Sequence, residues 1–131
     1  MNIVLATHGR LGEELVRSAG MIFGDMNVPC VSLLPGMSFE EFTAEAEEVL
    51  SSLEGDTIVL VDLFGGTPSN VFSALSRKYG HDVITGVNLP VLIDLYTKVS
   101  AGGDLDKERL VKETLETLRE SGVHTNELLN S

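Results

Sequence analysis

A histidine and an aspartate each follow an apolar run of strand length. His8 comes shortly after residues 3–6, Ile-Val-Leu-Ala, and Asp62 directly follows residues 58–61, Ile-Val-Leu-Val. A carboxylate beside an imidazole accepts a hydrogen bond from one ring nitrogen, which fixes the tautomer and leaves the other nitrogen as a nucleophile. The carboxylate also stabilises the cation that forms when the free nitrogen is substituted. We predict that His8 and Asp62 are a catalytic pair, if the fold brings the two strand ends together.

A glycine-rich turn follows Asp62. The sequence Gly65-Gly66-Thr67-Pro68 is typical of a helix start, where free backbone N–H groups favour an anion such as phosphate. The Thr67 hydroxyl could bind the same anion or cap the helix, and the residue types do not separate these roles. Phosphoryl transfer requires mainly positioning and charge stabilisation, which these groups can supply. Gly65, Gly66 and Thr67 are therefore predicted as phosphoryl-binding residues.

Each of these features also has a plainer explanation. A lone histidine at a strand end is more often structural, an aspartate can simply end a strand, and Gly-Gly-Thr-Pro can form an ordinary turn. Direct nucleotide binding is disfavoured, because the turn lacks the lysine of a P-loop and the chain has no G-x-G-x-x-G sequence. The prediction of a site depends on all three features meeting at one edge of a sheet.

The other polar candidates are weaker. Arg10 could contact phosphate or a partner, or be a solvated loop residue, and Asn88 could line the same crevice or begin a helix. We predict that His81 lies on the surface at the opposite edge of the sheet and that His124 lies in the C-terminal tail. No cysteine cluster or histidine pair has ligand spacing, so neither a metal site nor a cofactor is predicted.

The elements that would position these residues alternate along the chain. Apolar runs predict strands at residues 2–7, 29–34, 57–63 and 82–87. The first and third runs are continuously apolar, which is typical of parallel strands buried on both faces. The resulting βαβαβαβα order with a further helix predicts one domain, residues 1–131, with an open, mainly parallel α/β sheet and helices on both faces. In a flavodoxin-like strand order 2-1-3-4, the ends that carry His8 and Asp62 would be neighbours.

Helix boundaries follow from capping residues. The first helix is predicted from Leu11 to Gly24, the second after a Ser38–Glu41 capping box with Met37 and Phe42 as its hydrophobic staple. The third and fourth begin at Thr67-Pro68 and Leu89-Pro90 and end at Gly80 and Gly102-Gly103. Asp104 is predicted to cap a fifth helix, whose buried side would comprise Leu110, Val111, Leu115 and Leu118.

Composition excludes several classes of protein. Hydrophobic residues make up 43% of the 131 residues and charged residues 22%, which argues against disorder. The net charge of −11 disfavours nucleic acid as a partner and leaves open a basic protein, or solubility alone. No apolar run approaches the roughly 20 residues of a membrane span, so no membrane insertion is expected. Cys30 is the single cysteine, and with no signal peptide evident at the N-terminus the predicted location is cytoplasmic.

Four motifs together identify a family resemblance. They are Ala6-Thr7-His8-Gly9, Leu34-Pro35-Gly36, residues 60–70 (Leu-Val-Asp-Leu-Phe-Gly-Gly-Thr-Pro-Ser-Asn) and residues 86–92 (Gly-Val-Asn-Leu-Pro-Val-Leu). Their order and spacing, and the total length, resemble the EIIA component of the mannose-fructose-sorbose family of bacterial sugar phosphotransferase systems. The Asp-x-aromatic-Gly-Gly-Ser/Thr-Pro turn is the most specific of these motifs.

The resemblance implies a phosphocarrier. His8 would accept a phosphoryl group from HPr and pass it to a histidine of EIIB, which phosphorylates the sugar as it enters through membrane subunits. Asp62 would hold the His8 ring, and Thr67 with the glycine turn would contact the phosphoryl oxygens. Members are typically homodimers that exchange antiparallel C-terminal strands, and residues 123–129 are placed for such a strand. A monomer would leave the apolar C-terminal pair Leu128-Leu129 poorly covered, which also favours a dimer.

Three alternatives to sugar transport stay open from sequence. A related EIIA-like subunit of a dihydroxyacetone kinase system is one alternative, although the Thr7-His8-Gly9 and Gly-Gly-Thr-Pro pattern is more similar to the sugar-transport branch. A regulatory module could use phosphorylation of the same histidine to control another protein. A small-anion binder with the same fold would have no chemistry at His8. Because EIIA does not contact the sugar in this scheme, the sequence does not identify the sugar.

Overall fold

The computed structural model describes residues 1–130 and arranges helices around one four-stranded sheet. The last residue of the predicted 1–131 domain, Ser131, lies outside the described residues. The strands are β1 (Asn2–His8), β2 (Cys30–Leu33), β3 (Thr57–Val61) and β4 (Asp82–Thr85). The helices are α1 (Leu11–Phe23), α2 (Phe39–Ser52), α3 (Thr67–Tyr79), α4 (Leu89–Ala101), α5 (Lys107–Glu120) and α6 (Thr125–Leu129).

The strands pair in the order β2-β1-β3-β4, and all three pairings are parallel. The predicted fold class and strand order are therefore confirmed. Each predicted strand agrees with an observed one to within a few residues. The reason lies in the two central strands, which carry the continuous apolar runs and are buried along almost their whole length.

The sheet separates two apolar layers, as the alternation of side chains along β1 requires. Ile3 and Leu5 pack with residues of α1, α4 and α5 on one face. Val4 and Ala6 pack with residues of α2 and α3 on the other face. Both faces of β1 are thus covered, and the strand ends are what remains available for chemistry.

Capping chemistry sets the helix boundaries, with one correction. The Ser38–Glu41 capping box is present, and Met37 and Phe42 pack in the same cluster, as predicted. The fifth helix, however, is capped by Asp106, whose carboxylate accepts the Glu108 N–H at 3.1 Å; the prediction of Asp104 was wrong. Two aspartates lie two residues apart there, and the one that reaches an N–H of the first turn is the cap.

The buried side of α5 also differs from the prediction at one position. Leu110 is buried and Val111 and Leu118 are partly buried, but Leu115 is exposed. Thr114 is buried instead. A search for apolar residues at helical spacing does not select it, because threonine is polar. It lies four residues after Leu110, and therefore on the same face of the helix.

The C-terminal residues form a short helix in the single chain. α6 (Thr125–Leu129) has no buried residue, and Leu128 and Leu129 are largely exposed. Exchange of this segment as a strand between two chains stays a prediction. Among residues 1–130, no helix is both long enough and apolar enough to cross a membrane.

Candidate active site at the carboxyl edge of the sheet

The parallel register brings the predicted catalytic pair together. Ala6 of β1 is opposite Val61 of β3, so the residues that follow each of them lie at the same edge of the sheet. His8 is the last residue of β1, and Asp62 is the first residue after β3. Because both strands run in the same direction, their carboxyl ends and side chains converge.

The contact between the two side chains is direct. The Nδ1 atom of His8 lies 2.8 Å from Oδ2 of Asp62, and the backbone N–H of His8 donates to the same oxygen at 2.8 Å. The other carboxylate oxygen, Oδ1, accepts the Leu63 N–H at 3.0 Å. Three hydrogen bonds thus fix the carboxylate, and the carboxylate in turn fixes the imidazole ring.

These hydrogen bonds keep Asp62 ionised. Burial is the largest single influence and raises the pKa of Asp62, but the bonds and positive charge offered by His8 together with the Leu63 N–H outweigh it and hold the pKa below its ordinary value. An ionised carboxylate can only accept hydrogen bonds, so Nδ1 of His8 carries the proton. In the neutral ring, where only one nitrogen is protonated, Nε2 therefore keeps its lone pair. The His8 side chain is 47% exposed, against 10% for Asp62.

The glycine turn lies against the free nitrogen. A Cβ atom placed on Gly66 would be 2.5 Å from Cε1 of His8 and 3.2 Å from Nε2, so the ring leaves room there only for a hydrogen atom. Gly65 has a φ of 88°, a conformation in which side chains are strained. Both glycines are therefore required by geometry, one by its backbone angle and one by its distance to His8.

Helix α3 begins within this turn. Gly66 is the N-cap and Thr67 is the first helical residue, so the proposed role of Thr67 as the capping residue is excluded. The first N–H groups of a helix have no acceptor inside the helix. In α3 they are the N–H groups of Thr67 and Ser69, because Pro68 has none, and they directly follow Gly66, whose Cβ position lies 3.2 Å from Nε2 of His8. Such a group of donors favours an anion.

The turn that carries His8 is held by Thr7, a residue to which the sequence analysis gave no separate role. Thr7 is fully buried, and its Oγ1 accepts the Gly12 N–H at 2.8 Å. The Gly9 N–H donates to the Leu33 carbonyl at 2.8 Å, which ties the same loop to β2. A hydroxyl residue just before a turn is a known signal for such a bond, and it could have been used.

The weaker candidates contact groups other than His8 and Asp62. Arg10 pairs with Glu13 at 3.1 Å. Asn88 caps α4 by accepting the Val91 N–H at 3.0 Å, so its interpretation as a helix-start residue is confirmed. His124 is exposed in the tail, and its Nδ1 lies 3.4 Å from Glu127.

The prediction that His81 is a surface residue was wrong. It lies at the amino edge, as expected, but it is only 4% exposed. Its Nε2 donates to the Phe72 carbonyl at 2.7 Å, and its ring packs edge-on against the Phe72 ring. Folding of β4 back against α3 buries a residue that looks like part of an exposed turn in the sequence.

Apolar side chains are exposed around the same edge. Leu11 begins α1, Phe39 begins α2, and Leu63 and Phe64 follow Asp62. Between 46% and 85% of their surfaces is exposed in the single chain. Exposed apolar residues gathered beside a reactive group are typical of a surface that binds another protein.

Comparison with known proteins agrees with this geometry. The family described as "PTS system fructose IIA component" matches residues 2–111. The mannose-specific EIIAB component of Escherichia coli K12 is 34% identical over 122 residues, which cover 90% of this chain and 37% of that protein. The chain thus spans little more than a third of the length of this relative. The fructose-specific EIIA component of Bacillus subtilis is 30% identical over 99 residues, covering 72% of this chain and 68% of that protein.

Solved structures show the same similarity. The phosphotransferase system component EIIA from Streptococcus agalactiae superimposes with a TM-score of 0.85 at 26% sequence identity, covering 95% of this chain and 97% of that one. The family match extends over most of the sequence and includes every residue of the His8 site. On this basis the chain belongs to the mannose-type EIIA family of phosphotransferase-system components.

Proposed function

We propose that this protein is a phosphocarrier in which Nε2 of His8 accepts a phosphoryl group from HPr and passes it to EIIB. The observation that supports this most directly is the division of the two ring nitrogens. Nδ1 is bound to Asp62 at 2.8 Å, whereas Nε2 lies beside Gly66 and the N-terminus of α3. One nitrogen is therefore oriented and the other is available to react.

In the proposed step, the lone pair of Nε2 attacks phosphorus as the bond to the donor's imidazole nitrogen breaks. The leaving nitrogen takes the bonding electron pair. His8 becomes a substituted imidazolium with its proton still on Nδ1, and the negative charge of Asp62 stabilises that cation. Gly65, Gly66 and Thr67 bind the phosphoryl oxygens through backbone N–H groups and the Thr67 hydroxyl. In the transfer to EIIB, a histidine nitrogen of EIIB attacks phosphorus and Nε2 of His8 is the leaving nitrogen, which takes back its electron pair.

The exposed apolar residues around His8 would contact both partners in turn. One reactive atom serves donor and acceptor, so both must dock on the same edge of the sheet. The net charge of −11 would favour basic partner surfaces. We further infer that residues 1–131 form one such domain, that the protein is cytoplasmic, and that it forms a homodimer covering exposed apolar residues such as Leu129.

Sugar uptake is the role we favour within this family. The relatives are named as mannose-, fructose- and sorbose-specific components, which supports a transport system over the dihydroxyacetone kinase alternative. A purely regulatory module would be phosphorylated and then fail to pass the group on. Passage of the label to an EIIB protein therefore separates a carrier from a regulator.

The test begins with HPr, the first enzyme of the system and labelled phosphoenolpyruvate. We expect one phosphoryl group per chain, lost in acid and retained in base, because a phosphoramidate survives base whereas an aspartyl phosphate is hydrolysed there. His8→Ala should be folded and unlabelled. His124→Ala is the matched control, since His124 also has a carboxylate oxygen 3.4 Å from its Nδ1 but is the exposed N-cap of the five-residue helix α6 in the C-terminal tail. Undiminished labelling of His8→Ala would refute the proposal.

A further inference from the structure

The side chain of Asn70 is bound to the turn that contacts His8. Asn70 lies in the first turn of α3 and is exposed. Its Nδ2 donates to the Gly65 carbonyl at 3.2 Å, and its backbone N–H donates to the Gly66 carbonyl at 2.9 Å. One residue thus binds the carbonyl groups of both glycines.

The bond to the Gly65 carbonyl also fixes the direction of an N–H group. The peptide between Gly65 and Gly66 is planar and trans, so its C=O and its N–H point in opposite directions. While Asn70 holds the carbonyl, the Gly66 N–H is directed away from the Asn70 amide. Gly66 is the residue that lies against the His8 ring, 3.2 Å from Nε2 at its Cβ position.

A pair of glycines makes this orientation easy to lose. A flip of the peptide would rotate ψ of Gly65 and φ of Gly66 by about half a turn, and it would carry φ of Gly66 from −82° into positive values. Glycine tolerates both conformations, so sterics alone do not prevent the flip. The flip would reverse the directions of the Gly65 carbonyl and the Gly66 N–H in the turn that lies against the His8 ring, where the proposed function requires a phosphoryl anion to be bound.

We propose that Asn70 is a positioning residue that locks the Gly65–Gly66 peptide with its N–H available to the phosphoryl group on His8. This inference rests on the proposed function. Asn70 touches neither the ring nor the reacting atoms, and it acts through the glycine peptide. A carboxamide suits the task because its NH₂ group donates to the carbonyl, which a carboxylate of the same shape would repel.

The experiment compares Asn70→Asp and Asn70→Ala with wild type and with Asn27→Asp. Asn27 is an exposed residue between α1 and β2, at the amino edge of the sheet, and its substitution makes the same change of charge far from His8. Removing one preorganised donor costs about 10²–10³ in rate. We expect kcat for labelling by phospho-HPr to fall by up to about 10²-fold in Asn70→Asp and by roughly tenfold in Asn70→Ala, with KM for HPr unchanged.

A second readout follows the peptide itself. In protein labelled with ¹⁵N-glycine, phosphorylation should move the Gly66 amide resonance of wild type and of Asn27→Asp, and should move it much less in Asn70→Ala. A merely structural role of Asn70 would lower the unfolding midpoint and leave both kcat and this shift at wild-type values, which would overturn the inference. Absence of labelling in wild type would instead refute the proposed function, and the inference with it.

Discussion

Two histidines lie at opposite edges of the same sheet, and almost everything about them differs. His8 ends a strand, is half exposed and has a carboxylate 2.8 Å from one ring nitrogen. His81 precedes a strand, is buried, and binds a backbone carbonyl. Within residues 1–130, its Nδ1 is buried with no hydrogen-bond partner. The environment therefore favours reaction at one ring and a neutral, structural role at the other.

The difference follows from the direction of parallel strands. At the carboxyl edge, β1 and β3 both end in loops that lead to helix N-termini, so anion-binding N–H groups collect around His8. At the amino edge, the chain arrives from helix C-termini, where carbonyl oxygens are the free groups. His81 donates to the carbonyl of Phe72, which lies within α3 and not in its last turn. A donor nitrogen is useful at that edge, and a nucleophilic one is not.

Removing the charge that distinguishes His8 should give the largest effect. We expect Asp62→Asn to fold and to lose about 10²–10³ in the rate of phosphoryl transfer, because an amide supplies no negative charge opposite the imidazolium. Labelling kinetics with phospho-HPr and thermal unfolding measure the two properties. Asp25→Asn, at an exposed position, is the control for the loss of one carboxylate. Near-normal transfer by folded Asp62→Asn would remove Asp62 from the mechanism.

Much of the fold and of the site could be predicted, because the relevant signals are local or follow from topology. Continuous apolar runs identified the buried parallel strands, and the assumed strand order then brought His8 and Asp62 to one edge. The glycine turn could be placed at a helix start from Pro68 alone. In a parallel sheet all carboxyl ends of the strands lie at one edge, so the residues that follow the strands could be placed without knowing their contacts.

The failures involve contacts that depend on the exact path of the chain. His81 lies between a helix end at Gly80 and a strand, and its place in a turn suggested exposure, but the packing of α3 against β4 buries it. The bond from Asn70 to Gly65 spans five residues and needs the actual turn conformation. Such details follow from tertiary geometry, for which a single sequence carries no periodic signal.

Truncation of His81 should test whether its role is structural and separate from phosphoryl transfer. His81→Ala removes a buried ring and its hydrogen bond to the Phe72 carbonyl, so we expect the free energy of unfolding to fall by about 3 kcal/mol. Urea unfolding measures this loss. Labelling per folded molecule should match wild type, because His81 lies at the edge away from the glycine turn. A folded His81→Ala protein that could not be labelled would contradict the assignment of separate roles.

A methyl group on Gly66 should disturb His8 specifically. In Gly66→Ala the new Cβ would lie 2.5 Å from Cε1 of His8, so the ring or the turn must shift. We expect the transfer rate to fall by roughly 10–10²-fold, since misplacement of a reacting group by about 1 Å can cost that much. Gly20→Ala is the control, because a Cβ there meets no atom within 4 Å. Equal rates for the two variants would mean that Gly66 does not limit the position of the ring.

The smallest expected effect is a dependence of stability on pH that belongs to His81. Burial is the main cause that lowers the pKa of His81; Lys107 adds to it, while the Phe72 carbonyl and Asp82 oppose it. The unfolded chain therefore takes up the proton at higher pH than the folded protein does. The stability contributed by neutral His81 is complete above about pH 6.5 and is lost as the pH falls through that value toward the lower folded pKa.

Urea unfolding at pH 7.5 and 5.5 can isolate this contribution in a protein that carries His8→Ala and His124→Ala, so that His81 is the remaining histidine. It is compared with a triple variant that carries His81→Gln in addition, because the glutamine amide can still donate to the Phe72 carbonyl and does not titrate. We expect the protein with His81 to lose about 1 kcal/mol more between the two pH values, within the limit of about 1.4 kcal/mol per pH unit for one proton. Asp62 does not interfere, because both proteins contain it in the same surroundings and its contribution cancels in the comparison. An equal loss in both proteins would show that His81 takes up its proton as readily in the folded state as in the unfolded chain, and the contrast with His8 would then rest on geometry alone.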